Sequence, residues 1–303
     1  EMSATRLEHC QRYAALGGDE LSMTFNFHHL KVDYLNGAKW SLMSPDRVEL
    51  KQIFNQWQQG MHNRAWNALF WCNHDQPRIV SRFGDEGALR VPAAKMLAMV
   101  LHGMQGTPYI YQGEEIGMTN PNFTSINQYR DVESLNMFAE LSAQGRDPDE
   151  LLAILAAKSR DNSRTPMQWD RSRNAGFSQG TPWIEPCSNY AEINVDSALA
   201  DADSVFYAYQ YLIALRKQHD VFTFGDYRDL CPQHPELWCY LRHWQGKQLL
   251  VVANLSGEPQ QWQPEEIALD GNWQLLMSSY GESAFQPQEM VLRAYEGIYW
   301  VRD

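Results

Sequence analysis

Apolar residues recur at helical spacing through the first third of the chain. Leu50, Ile53, Phe54, Trp57 and Met61 fall on one face at a period of 3.6. Ser44-Pro45 precedes them and predicts a cap followed by proline at the first helical position. Shorter apolar runs at residues 21–27 and 68–72 read as buried strands on either side. Leu97, Val100, Leu101 and Met104 predict a second one-faced helix, from about Pro92 to Gly106, and residues 107–111 a third strand. Strands alternating with helices predict a parallel sheet covered by helices.

Further along, residues 151–157 and 206–217 read as helices, the second ending in Arg216 and Lys217, which suits the helix dipole. Residues 145–150 and 170–186 are polar, carry Gly and Pro, and read as loops. From about Asp220 the period changes to two. Residues 237–244, 248–255, 273–280 and 290–301 predict strands, with a turn at Gln245-Gly246-Lys247. The expected organisation is an α/β portion over residues 1–219 and an antiparallel β-sandwich over 220–303.

The net charge of -12 disfavours nucleic acid and anionic membranes as partners. No run is apolar and long enough to span a bilayer. The five cysteines, Cys10, Cys72, Cys187, Cys231 and Cys239, show no C-x-x-C spacing, which argues for reduced thiols and against a zinc site. The chain opens Glu1-Met2-Ser3 and reads as a fragment or processed piece.

Asn73-His74-Asp75-Gln76-Pro77-Arg78 directly follows a predicted strand, where a barrel of parallel strands collects its functional groups. By itself the run fits a capping Asp and a packed His equally well. It is accompanied by Glu1-Met2-Ser3, by Gly113-Glu114-Glu115-Ile116-Gly117 and by the segment from Arg160 to Trp169, R-D-N-S-R-T-P-M-Q-W. In this order the set resembles the oligo-1,6-glucosidase group of the α-amylase superfamily, over essentially the whole chain.

The resemblance implies the C-terminal part of a (β/α)8 TIM barrel followed by an all-β domain. It implies a retaining glycosidase with Glu1 as general acid/base and Asp75 as the carboxylate that stabilises the transition state. His74 and Arg164 would contact sugar, with Arg160 a weaker candidate, while Asn73, Gln76, Glu114 and Glu115 are left to the scaffold. Such chemistry needs a buried acid for the leaving oxygen and carboxylates around a positive transition state. The family's nucleophile, an Asp, lies upstream of Glu1, so these 303 residues are expected to be inactive alone and prone to aggregate. No cofactor or metal is implied.

Residues 25–34, F-N-F-H-H-L-K-V-D-Y, followed by Asn36-Gly37-Ala38-Lys39-Trp40, are similar to the trehalose-6-phosphate hydrolase branch. Lys31 and Lys39 would then select a sugar phosphate, since lysine is a compact cationic donor to phosphate. Solvated surface lysines are the alternative for both. His28 and His29 are read as strand neighbours that point apart and share no metal. That branch implies a cytoplasmic setting. The rivals are a glucosidase acting on unphosphorylated sugars and a catalytically silent transporter subunit.

Overall fold

The computed structural model describes residues 1–264, 273–281 and 290–303. Its first portion holds helices α1 (Leu7–Tyr13) and α2 (Arg47–Met61), strand β1 (Ala68–Phe70), helices α3 (Ile79–Phe83) and α4 (Arg90–His102), and strand β2 (Thr107–Tyr109). Helices α5 (Val132–Ala143), α6 (Pro148–Lys158), α7 (Val195–Ala200), α8 (Val205–Gln218) and α9 (Val221–Phe224) follow. Strands β3 (Arg228–Asp229), β4 (Leu237–Trp244), β5 (Lys247–Asn254), β6 (Gln260–Trp262), β7 (Gln274–Ser278), β8 (Met290–Leu292) and β9 (Gly297–Arg302) make up the remainder.

Four lanes of chain run parallel. Met2 bridges Asn26, Thr24 bridges Asn67, and β1 pairs with β2. The strand expected over residues 21–27 therefore survives only as two isolated bridges. The carbonyl of Phe25 accepts the amide of Met2 and that of Thr24 accepts Ala68, so the lane is paired on both sides but too briefly for a ladder. A 3-10 helix, His28–Lys31, begins directly after it.

Helix α2 starts later than Ser44-Pro45 suggests. Asp46 is the cap, its carboxylate accepting the Glu49 amide at 2.8 Å. Helix α4 is not one-faced: every residue from Ala93 to His102 is buried. It lies between α8 on one side and β5 and β9 on another. It ends at His102, where Gly103 lets the β sheet approach; a Cβ there would meet the Tyr240 hydroxyl at 2.2 Å. Helix α6 takes in Pro148–Glu150, which read as loop, because Asp147 caps it and Pro148 occupies its first turn.

Strands β3, β4, β5, β9 and β7 form one antiparallel sheet in that order, and β6 pairs with β8 in a second. Burial in β4 does not alternate with solvent, because both faces are covered. Trp238, Tyr240, Val251 and Tyr299 face α4, while Leu237, Cys239, Leu250, Val252 and Trp300 pack with Trp262 and Leu292 of the smaller sheet. The run 290–301 is two strands rather than one, broken where Tyr295 takes a φ of 51°. At Gln245-Gly246 both φ values are positive, 47° and 89°, the geometry of a two-residue type I′ hairpin.

The two portions share a core. Trp71, beside β1, meets Trp238 of β4 edge to face at 6.3 Å, and Phe54 of α2 meets Trp238 at 5.4 Å. The Tyr240 hydroxyl donates to the Val100 carbonyl at 2.7 Å, and Tyr299 donates to Met99.

Candidate active site

The residues after β1 are turned by their own side chains. The Asn73 side-chain oxygen accepts the Asp75 amide at 2.8 Å, an Asx turn that brings Asp75 forward. Asp75 then meets two arginines. Arg164 Nη2 is 2.6 Å from Asp75 Oδ1, and Arg160 Nε is 3.8 Å from the same oxygen. His74 Nε2 lies 3.6 Å from Asp75 Oδ2. Arg164 also donates to the His74 carbonyl at 2.9 Å and pairs with Asp131 at 3.2 Å. One guanidinium therefore fixes the carboxylate, the backbone beside it and the cap of α5.

The run R-D-N-S-R-T-P-M-Q-W divides by exposure. Asp161, Asn162, Ser163, Thr165 and Gln168 are buried, whereas the side chains of Arg160 and Arg164 are 37% and 23% exposed. Ser159 caps a 3-10 turn, Arg160–Ser163, and Asp161 accepts the amides of Arg130 and Asp131 at 2.7 and 2.9 Å. Most of the segment is thus a hydrogen-bonded frame that aims its two arginines at Asp75.

Lys39 joins the same constellation. Its ammonium lies 4.4 Å from the centre of the Trp40 ring and 2.8 Å from Glu133 Oε2. Glu133 Oε2 also accepts Arg160 Nε at 2.9 Å. Lys39, Glu133, Arg160, Asp75, Arg164 and Asp131 alternate in sign along one continuous line. Lys31 is exposed at the end of the 3-10 helix, with no ion pair among the described residues.

Glu1 is exposed, so the burial expected around the acid is not supplied by this chain's described residues. It lines a cleft of about 190 Å3 with Phe25, Phe70, Cys72, Asn73 and Tyr109. Phe25 packs edge to face on Phe70 at 5.4 Å and on Tyr109 at 4.7 Å, forming the apolar wall of that cleft. His28 and His29 belong to the 3-10 helix and not to a strand. The His28 ring is 2.7 Å from the Thr5 carbonyl, whereas His29 is buried against Phe54 and Phe70, where burial pushes it down to about 3. Among the described residues no cluster of three or more His, Cys, Asp or Glu is arranged for a metal.

Glu114 is buried with one carboxylate oxygen accepting the Tyr111 amide at 3.0 Å, and burial pushes its carboxyl up to about 8. Glu115 accepts the Gly113 amide at 2.7 Å. Sequence reasoning missed Glu133, Asp131 and Trp40. A signal was present for the first two: Asp131-Val132-Glu133-Ser134 is a capping Asp with an acid in the first turn, and it marks α5, which the apolar pattern does not reveal.

The class follows from comparison with known proteins. The chain belongs to the alpha-amylase family, whose description "Alpha amylase, catalytic domain" matches residues 1–225. Its fold is α/β, the C-terminal part of a (β/α)8 barrel with an antiparallel all-β domain. It is 70% identical over 302 residues to the trehalose-6-phosphate hydrolase of Escherichia coli (strain K12), covering 100% of this chain and 54% of that protein. It is 49% identical over 283 residues to the oligo-1,6-glucosidase of Halalkalibacterium halodurans, covering 93% of this chain and 50% of that protein. The crystal structure of Bacillus licheniformis trehalose-6-phosphate hydrolase superimposes with a TM-score of 0.96 at 49% identity, covering 99% of this chain and 54% of the other. The chain therefore spans about half the length of the relatives it matches.

Proposed function

We propose that the full-length protein hydrolyses trehalose 6-phosphate to glucose and glucose 6-phosphate with retention at the anomeric carbon. In this reading Glu1 protonates the leaving oxygen and later activates water. Asp75 stabilises the positive transition state, and His74, Arg160 and Arg164 orient it and the sugar. Lys39, with Lys31 at the rim, takes the phosphate. The observation that carries the reading is the position of Lys39, held on Trp40 at one end of the charge line that runs through Asp75. The 70% identity to a trehalose-6-phosphate hydrolase supports the same substrate.

The reading takes the chain as a barrel portion over residues 1–219 and a β-sandwich over 220–303. It also carries a cytoplasmic setting. Among the described residues no helix is long and apolar enough to cross a membrane.

The test compares kcat/KM for trehalose 6-phosphate, trehalose and isomaltose in the full-length protein. A strong preference for the phosphorylated sugar, reduced in Lys39→Ala and in Lys31→Ala, is expected. Equal or better turnover of isomaltose would replace this reading with an oligo-1,6-glucosidase, the activity named for the 49% identical relative.

A further inference from the structure

A phosphate-binding lysine ordinarily contributes affinity, through a local contact that the reacting centre does not feel. Here the lysine is not local. Glu133 Oε2 is shared by Lys39 Nζ at 2.8 Å and Arg160 Nε at 2.9 Å. Arg160 Nε reaches Asp75 Oδ1 at 3.8 Å, the longest link of the line, while Arg164 holds that oxygen at 2.6 Å. Glu133, Arg160 and Asp75 each divide their charge between oppositely charged neighbours on either side, so removing one partner strengthens the remaining pair.

We propose that Glu133 is a positioning residue that couples occupancy of the phosphate site to the catalytic carboxylate. The proposal rests on the reading of Lys39 and Asp75 given above. With no phosphate present, Lys39 is spent on Glu133. A phosphate dianion arriving at Lys39 draws the ammonium away and repels the carboxylate toward Arg160. Arg160, now paired fully with Glu133, withdraws from its long contact with Asp75. Asp75 is left with less compensating charge and stabilises a positive transition state better. The phosphorylated substrate thereby raises its own kcat, where an unphosphorylated sugar leaves the line as it stands.

The placement of Glu133 fits such a part. It lies in the first turn of α5, a 12-residue helix capped by Asp131, and Asp131 is gripped by the same Arg164 that holds Asp75. The backbone carrying Glu133 is therefore anchored while its side chain, 34% exposed, retains room to shift.

The experiment uses the full-length protein with trehalose 6-phosphate and, as an unphosphorylated reference, 4-nitrophenyl α-D-glucopyranoside. The quantity read is the ratio of the two kcat values on one enzyme sample, so a partly misfolded preparation reports the same ratio. Glu133→Gln is expected to lower that ratio about tenfold, the scale of a modest coupling between sites. Lys39→Met is expected to lower it similarly and also to raise KM for trehalose 6-phosphate. The double variant is expected to lower it no further. An unchanged ratio in Glu133→Gln, or an effect of Lys39→Met confined to KM, overturns the coupling and leaves the phosphate reading standing. Selectivity in kcat/KM that is untouched by Lys39→Met overturns the phosphate reading itself, and the coupling with it.

Discussion

Arg164 and Asp75 lie 89 positions apart in the chain and 2.6 Å apart in space. The same guanidinium grips the His74 carbonyl and Asp131, so it sets the carboxylate's direction as well as its company. Arg164→Lys keeps the charge but loses the planar fork that spans three partners. It is expected to lower kcat/KM for trehalose 6-phosphate about 100-fold, as misplacing a reacting group does. Asp75→Asn, which removes the charge itself, is expected to cost about 1,000-fold in kcat. Steady-state kinetics on the full-length protein decides. Activity within threefold of wild type in Asp75→Asn would remove that residue from the reacting centre.

Asp33 carries the loop of Lys31 and Lys39 on a buried ion triad. Its two oxygens meet Arg82 at 2.5 Å and Lys158 at 2.6 Å, and all three side chains are at most 5% exposed. Burial alone would raise the Asp33 carboxyl, but the hydrogen bonds and charges of Arg82 and Lys158 outweigh it and hold it below the usual range. Asp33→Asn would leave two buried cations short of an anion, at a cost of about 3–5 kcal/mol. Urea unfolding should show a lower midpoint with unchanged slope. A loss under 1 kcal/mol would mean the triad is solvated in solution.

Glu114 makes stability fall with rising pH. Its folded value, about 8, exceeds its ordinary 4.5, so the native state binds the extra proton between those limits. Stability from this group is complete below about pH 4.5 and is lost as pH rises toward 8. His29 and His102 work at the opposite end. Burial lowers them from 6.5 to about 3 and about 4, so their contribution is present above 6.5 and is lost as pH falls below it. Thermal melts from pH 5 to 9 should show a dome, and Glu114→Gln should flatten its alkaline side. An unaltered alkaline limb in that variant would assign the loss elsewhere.

Lys51 of α2 fastens the second portion to the first. Its buried ammonium donates to three carbonyls, those of Cys231, His234 and Leu237, the last at 2.8 Å. Burial lowers its affinity for the proton. Lys51→Met fills the same space and leaves the three acceptors without their donor, an expected loss of about 3 kcal/mol. Hydrogen exchange should show the segment around Cys231 to Leu237 opening first, and uniform protection across the chain would contradict that role.

What the sequence determined alone was whatever is written between near neighbours. The helical period set α2 and α8, Gln245-Gly246 set its hairpin, and the ordered motifs marked the family. Even there local signals were ambiguous where contacts were distant. The apolar stripe of α4 looked one-sided, yet α8 and the β sheet enclose the whole helix. The strand near Phe25 looked regular, yet it is too short between its two partners to form a ladder. The site divided the same way. Asp75, His74, Arg160 and Arg164 could be named as candidates because they sit in dense motifs, and they do lie together. Glu133 was not, because its meaning lies in Lys39, 94 positions away, and in Arg160 beyond it. A charge carries no periodicity that tells which distant charge will meet it. Only the packing of α5 against the turn after α6, with the Asp33 to Lys39 loop fastened to α6 by Lys158, brings those side chains within hydrogen-bonding distance.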